Sequence, residues 1–347
     1  MGMAKVIGGL ADGRMRHSVV ALFGEPEIAE RLPASVGVYC MRAWSNEPAL
    51  PWRLGRLIRR VRPTVIHARN WGAWPDTAAA RLLGSPRAPL ILSFHGLGKA
   101  GYMPLRRRMA SWALARMATG LFTVSNQSKE LMVARWGWPR HKVEVIPNGV
   151  DTGRFRPGDK VQNGQRVIVG TVGNLRPVKN HALLIQACAD LVRRGVDLEV
   201  RIAGEGEERE NLTSLAESLG MTDRVALVGR QEDVPGFLHG LDVFVLSSDS
   251  EQHPNALNEA MACGLACVAT RVGCVEELLD EGRCGKIVPP GEQRPMADAI
   301  GRFASDASAR RESGSAARRR ACERYSVGTM LTAYDGLYER LSRCETR

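Results

Sequence analysis

Short apolar runs of strand length recur along almost the whole chain, and stretches with apolar residues at helical spacing fall between them. Residues 17–24, 64–69, 89–96, 120–125 and 143–149 read as buried strands, with helices predicted over 50–61, 73–83 and 126–136. A polar stretch rich in Gly and Asp, residues 151–165, interrupts the pattern. A second series follows, with strands predicted at 166–173, 198–206, 225–230, 241–248, 266–270 and 285–290. Helices are expected over 181–195, 209–219, 234–240, 254–263 and near 274–280. Strands that alternate with helices form parallel sheets joined by right-handed crossovers. The expected fold class is therefore α/β, with two doubly wound parallel-sheet domains facing a cleft. The first is set at residues 1–153 and the second at 154–324. The apolar and aromatic residues of 325–341 predict a terminal helix, within 325–347, that crosses back to the first domain.

Within the second series, residues 247–264 read SSDSEQHPNALNEAMACG. A short run rich in Val and Phe ends here, Pro254 suits the first position of a helix, and Gly264 suits its end. Glu251 is then placed in the loop after a strand and Glu259 about one turn into the following helix. Ligands of open α/β sheets bind at the carboxyl ends of strands, and helix starts attract phosphate. A carboxylate accepts the paired hydroxyls of a ribose or hexose. The pattern points to a sugar carried on a nucleoside phosphate; two surface charges on an ordinary helix start are the alternative.

Length and composition narrow the picture. The 347 residues suit two domains, and no run of 18 apolar residues is present. The N-terminus lacks the apolar core of a signal peptide, and eight cysteines without an export signal fit a reducing cytoplasm. Cys263, Cys267, Cys274 and Cys284 lie close in sequence, but no Cys-x-x-Cys pair occurs, so small buried residues are expected there rather than a metal. Charge is uneven. Residues 1–150 hold 22 Lys and Arg against 8 Asp and Glu, whereas residues 151–347 hold 26 against 29. Residues 57–63 and 103–118 carry much of the excess, and the second stretch reads as a basic amphipathic helix interleaving Met109, Trp112, Leu114 and Met117 with arginines. An anionic membrane surface fits it, as does a solvated helix packed on its apolar side. With 5% aromatic residues and no recognised nucleic-acid motif, nucleic acid is not expected as a partner.

Eight blocks then resemble, in order, those of the retaining glycosyltransferases of family 4, whose fold is GT-B: FTVSNQSKELM, VEVIPNGVDTGRFRP, VGNLRPVKNHALLIQA, RIAGEGEERENL, VALVGRQEDVPGFLHGLDVFVLSS, EQHPNALNEAMACG, VATRVGCVEELL and GKIVPPGE. The resemblance covers nearly the whole chain and is strongest over residues 120–292. It implies that residues 251–259 form the E-x7-E motif, Glu251 meeting the donor sugar and Glu259 the ribose. Pro254, Asn255, Ala256 and Leu257 would line the anion-binding helix start. Lys179 matches a lysine that neutralises the donor diphosphate. The family often has Arg where this chain has Asn174, and Arg176 is the nearby substitute. Gly204, Glu205 and Gly206 resemble a turn lining the cleft, and Val228, Gly229 and Arg230 the loop that holds the nucleobase. His95 matches a histidine of the first domain that reaches the donor sugar; a structural histidine at a strand end is the alternative. Catalysis would rest on His95, Lys179 and Glu251, with retention at the anomeric carbon. The family normally needs neither metal nor cofactor, its donor being a sugar on UDP or GDP.

The start of the chain departs from this pattern, because one element fits where a strand, a glycine loop and a helix belong. We read Gly2 as the remnant of the loop and residues 4–11 as the helix, so that the N-terminal sheet lacks its first strand; the alternative reads residues 4–10 as the strand. The resemblance implies a hexosyltransferase of exopolysaccharide type, cytoplasmic and peripheral on the inner membrane face, with a lipid-linked or saccharide acceptor. A degenerate nucleotide-sugar-binding protein of a polysaccharide assembly complex is the second reading. A dehydrogenase would need a G-x-G-x-x-G after its first strand, and none is present.

Overall fold

The computed structural model describes residues 2–10, 15–24, 29–44, 47–95, 104–158 and 166–343. Residues 11 and 103, the 159–165 part of the polar stretch and residues 344–347 lie outside them. Internal contacts divide the chain into two compact units, Met1–Gly149 with Val327–Arg347, and Val150–Ser326.

The first unit runs α1 (Gly2–Leu10), β1 (Ser18–Ala21), β2 (Gly37–Cys40), α2 (Leu50–Val61), β3 (Ile66–Arg69), α3 (Trp74–Gly84), β4 (Leu90–Phe94), α4 (Leu105–Met117), β5 (Gly120–Thr123), α5 (Asn126–Trp136) and β6 (Val143–Val145). The C-terminal helix, Val327–Arg343, belongs to the same unit. All strand pairs are parallel, but the strands form two sheets, β1–β2 and β3–β4–β5–β6. The start of the chain is helical, so residues 4–10 are not a strand, and Gly2 already belongs to the helix rather than to a loop before it. No strand precedes α1 among the described residues.

Side-chain alternation sorts the four-stranded sheet into two faces. Ile66, Ala68, Leu90, Leu92 and Leu121 pack with Leu50, Leu54, Trp74, Met132 and Trp138 on one side. Ile91 and Phe122 pack with Val6 and Leu10 of α1 and with Met330, Tyr334 and Leu337 of the C-terminal helix on the other. Ser125 caps α5 by accepting from Ser128 N, and Gly137 ends it at φ +66°.

The second unit runs β7 (Val167–Val172), α6 (His181–Arg193), β8 (Leu198–Ala203), α7 (Arg209–Ser218), β9 (Val225–Gly229), α8 (Val234–His239), β10 (Val243–Leu246), α9 (Asn255–Ala262), β11 (Ala266–Thr270), α10 (Val275–Leu278), β12 (Lys286–Val288), α11 (Gln293–Ser305) and α12 (Ala307–Arg324). Its six parallel strands lie in the order β12–β11–β10–β7–β8–β9. The central strands are buried on both faces, as near-continuous apolar runs require. Val243, Val245, Ala266 and Val268 face α6 and α11, while Phe244, Leu246, Cys267 and Ala269 face α9 and α12. Cys263, Cys267, Cys274 and Cys284 are buried in that second core layer, packed as small apolar residues. The order of connection reverses across the sheet between β7 and β10, the strands from β7 running one way to β9 and those from β10 the other way to β12. That is the topological switch point, where ligands of such sheets bind.

Candidate functional site

Two loops meet at the switch point. After β7 the chain passes through residues 173–176 into a 3-10 turn, Pro177–Lys179, and Asn180 then enters α6 in the left-handed region at φ +45°. Asn180 tolerates this geometry because its side chain bonds locally: Oδ1 accepts from Leu183 N and Nδ2 donates to Asp249 Oδ1 at 2.9 Å. The loop after β10 is tied back by Asp249 N donating to Val178 O and by Ser247 Oγ donating to Lys179 O at 3.1 Å. Across this seam Lys179 Nζ donates to Glu251 Oε1 at 2.5 Å, and Ser248 Oγ donates to the same oxygen at 3.0 Å. Neither charge is fully withdrawn from solvent, with 28% of the lysine and 14% of the glutamate side chain exposed. The pair can therefore open toward a ligand without stranding a charge in a dry interior.

Glu251 is held by its backbone as well. Gly273 sits at φ +53°, and a Cβ there would come within 2.3 Å of Glu251 O, so only glycine lets the two loops touch. Pro254 takes the N-cap of α9 rather than its first helical position, one residue earlier than the sequence suggests, and its ring makes no capping hydrogen bond. The first-turn N–H groups of Asn255, Ala256 and Leu257 give this end the positive pole of the helix. Glu259 lies four residues after Asn255 on the same face and is half-buried.

The loop after β8 is knitted to the loop after β7. Leu175 N donates to Glu205 O, Glu208 N donates to Leu175 O, and Gly204 N donates to Gly229 O at the end of β9. A Cβ on Gly204 would lie 1.9 Å from Gly173 O, and one on Gly206 2.3 Å from Leu175 O. Both glycines are thus dictated by backbone contact. Glu205 pairs with Arg209 at 3.5 Å, and Asn174, Arg176, Val228 and Arg230 are exposed along the same edge of the sheet.

The family model described as Glycosyl transferases group 1 matches residues 155–320, and the one described as Glycosyltransferase Family 4 matches residues 3–154. The chain belongs to the GT-B glycosyltransferases. It is 30% identical over 270 residues to the D-inositol 3-phosphate glycosyltransferase of Corynebacterium urealyticum, covering 70% of this chain and 63% of that one. It is 28% identical over 257 residues to the putative colanic acid biosynthesis glycosyltransferase WcaL of Escherichia coli, covering 72% and 63%. The chain thus spans just under two thirds of the length of each of these relatives. Among solved structures, Anabaena HepE in complex with UDP matches with a TM-score of 0.85 at 21% identity, covering 97% of this chain and 95% of that one.

In this GT-B chain the predicted residues of the second unit collect at one sheet edge: Asn174, Arg176 and Lys179 after β7, 204–206 after β8, 228–230 at β9, and Glu251 to Glu259 after β10. His95 and Gly2 belong to the first unit, where His95 follows β4 at the carboxyl end of its sheet. Sequence reasoning missed Ser248, Asn180 and Asp249, which orient Lys179 and Glu251, and Gly273. It also missed His253, buried beside the Tyr325 ring at 5.9 Å with neither ring nitrogen hydrogen-bonded. Burial holds the His253 pKa down at about 4. Only Asn180 carried a readable signal, as an N-cap residue directly before an apolar run.

Helix α4 also departs from one of its two expected readings. Leu105, Met109 and Trp112 are 69%, 64% and 47% exposed, and Met117 is exposed as well. Its packed positions are Ser111 and Ala115, with Leu114 partly buried. The apolar side chains therefore stand in solvent beside Arg106, Arg107 and Arg108, and Arg116 stacks over the Trp112 ring at 3.8 Å. No helix among the described residues is long and apolar enough to cross a membrane.

Proposed function

We propose that this protein transfers a hexose from a nucleoside diphosphate of the UDP or GDP type to a lipid-linked or saccharide acceptor, with retention at the anomeric carbon and without a metal. The observation that carries the reading is the Lys179–Glu251 pair across the switch point, beside the start of α9, which has Pro254 at its N-cap. The departing diphosphate gathers negative charge, which the Lys179 ammonium, the Arg176 guanidinium and the α9 N–H groups would stabilise. Glu251 would accept from the hexose hydroxyls, and Glu259 from the ribose. Val228, Gly229 and Arg230 would border the base, and His95 would meet the sugar from the first unit. The protein would contribute position and charge rather than a nucleophile. The UDP bound in HepE supports a UDP donor, and the likeness to WcaL, a putative glycosyltransferase of colanic acid biosynthesis, supports an acceptor of bacterial surface-polysaccharide synthesis. The exposed apolar and arginine side chains of α4 support a peripheral position on an anionic inner membrane face.

The test is a thermal-shift panel of UDP, GDP, ADP, dTDP and NAD on the wild type and Glu259→Ala, followed by turnover of the stabilising nucleotide's hexose in EDTA. A ligand at about 100 times its dissociation constant adds roughly 2.7 kcal/mol. Stabilisation by one nucleotide, weakened by the substitution and followed by turnover in EDTA, is expected. Stabilisation by NAD alone would sink the reading. Binding without turnover would favour the degenerate binding protein, to which the divided sheet of the first unit and Asn174 lend weight.

A further inference from the structure

The face of the first unit covered by the C-terminal helix holds a hydrogen-bonded chain that the proposed transfer does not itself require. Tyr338 Oη lies 2.8 Å from His67 Nδ1, His67 Nε2 lies 2.7 Å from Ser93 Oγ, and Ser93 Oγ lies 3.1 Å from His95 Nε2. Four side chains from β3, β4, the end of β4 and the C-terminal helix are thus in series. Phe122 clamps both rings edge-on, at 5.2 Å from His67 and 5.4 Å from His95, and Asn70 Oδ1 accepts from His95 N at 2.9 Å. The chain ends at His95 Nδ1, which is buried and has no partner among the described residues.

Proton order along such a chain has only two senses. Ser93 is fully buried and its one proton has no acceptor among the described residues other than the two rings, so it donates to one histidine and accepts from the other. In the first sense Tyr338 donates to His67 Nδ1, His67 Nε2–H donates to Ser93, Ser93 donates to His95 Nε2, and His95 carries its proton on Nδ1. In the reverse sense His67 Nδ1–H donates to the phenol oxygen, and the phenol proton, in place of the His95 Nδ1 proton, is the one left without an acceptor among the described residues. An imidazole nitrogen is a much better acceptor than a phenol oxygen, and the phenol is the better donor, so the first sense holds. Both rings are neutral, burial and the nearby Arg69 guanidinium holding His67 down at about 3 and His95 at about 2. A neutral ring has a single N–H, so fixing one nitrogen fixes the other.

We propose that Tyr338, acting through His67 and Ser93, fixes His95 as the Nδ1–H tautomer and so makes it a hydrogen-bond donor to a substrate oxygen rather than a base. Tyr338, His67 and Ser93 are positioning residues; only His95 would touch the substrate. The substrate contact rests on the transfer reading above, but the tautomer does not. A buried N–H without an acceptor is costly, which favours a hydroxyl or phosphate oxygen as its ligand.

The experiment is long-range proton–nitrogen NMR of histidine-labelled full-length protein, which distinguishes the two neutral tautomers, on the wild type, Tyr338→Phe, Ser93→Ala and Ser93→Thr. We expect the wild type to show His95 protonated at Nδ1 and His67 at Nε2. Tyr338→Phe and Ser93→Ala should each release His95 into a mixture, and Ser93→Thr, which keeps the hydroxyl, should restore it. If transfer is observed, the two disruptive variants should lower kcat by roughly tenfold or more with KM for the nucleotide little changed. Wild-type His95 protonated at Nε2, or a His95 signal unmoved by both disruptive variants, would overturn the proposal. The expected tautomers in a protein that turns over no nucleotide sugar would leave the relay standing and remove the transfer reading instead.

Discussion

Lys179 Nζ lies 2.5 Å from Glu251 Oε1, so the cation proposed for a diphosphate and the carboxylate proposed for a sugar are held as one unit. Ser248 shares the same carboxylate oxygen. Lys179→Ala should lower kcat/KM by about 10²–10³, the usual cost of removing one preorganised charge partner. Glu251→Gln should cost less than Glu251→Ala, because the amide still accepts from Ser248. The double variant should be clearly less impaired than the product of the single effects predicts, since the groups are in contact. Independent, multiplying effects in steady-state kinetics would show that the pair does not act together.

The glycines of the β8 loop make a separate prediction, on stability. A Cβ on Gly204 meets Gly173 O at 1.9 Å, and backbone cannot yield as a side chain can. Gly204→Ala should cost roughly 2–4 kcal/mol of unfolding free energy, read by denaturant titration. Gly195→Ala, where a Cβ meets nothing but φ is +87°, should cost less, about 1 kcal/mol.

His253 and His181 predict the acid limb of stability. Burial is the first cause in both, and each is held down to about 4 from the ordinary 6.5. The folded state therefore binds these protons more weakly than the unfolded chain. Their contribution is fully present above pH 6.5 and is lost as pH falls toward 4, at a slope of up to about 1.4 kcal/mol per pH unit for each ring. His253→Phe should flatten the fall in stability between pH 6.5 and 4 relative to the wild type. An unchanged slope would mean that the ring is hydrated in solution.

Membrane association should depend on α4. The wild type should sediment with vesicles containing anionic lipid at low salt and much less with neutral ones. Replacing Arg106, Arg107 and Arg108 by Ser should weaken binding by about 1 kcal/mol for each charge. Trp112→Ser should weaken it at all salt concentrations, because its contribution is apolar area rather than charge. Equal binding of wild type and variants would remove the helix from consideration.

How far the sequence reached depended on what each segment packs against. The runs at 166–173, 241–248 and 266–270 are buried on both faces and were legible as strands for that reason. Strand β2 is not legible: it opens with Gly37, pairs only with β1 and buries none of its residues. Helix α12 was missed because its buried positions are Gly314, Ala317 and Ala321. Its contact is backbone against backbone, a Cβ on Gly314 meeting Gly264 O at 2.1 Å, so no apolar stripe marks it. In the site, the spacing of Glu251 and Glu259 around Pro254 could be read as chemistry. Lys179 could be placed only by resemblance, since its partner lies 72 residues away. The Tyr338–His67 contact spans 271 residues, which no local pattern records.

That separation has a consequence during synthesis. The C-terminal helix closes the face of the first unit that holds Ile91 and Phe122, yet it leaves the ribosome only after all of Val150–Ser326. The second unit, continuous in sequence, can reach its native state while the first still shows that apolar face to solvent. Met330, Tyr334 and Leu337 are the side chains that cover it, each contributing on the order of 1.5–3 kcal/mol by burial. The half of the molecule made first is therefore the half completed last, and chaperone demand should track the time between translating Gly149 and translating Val327.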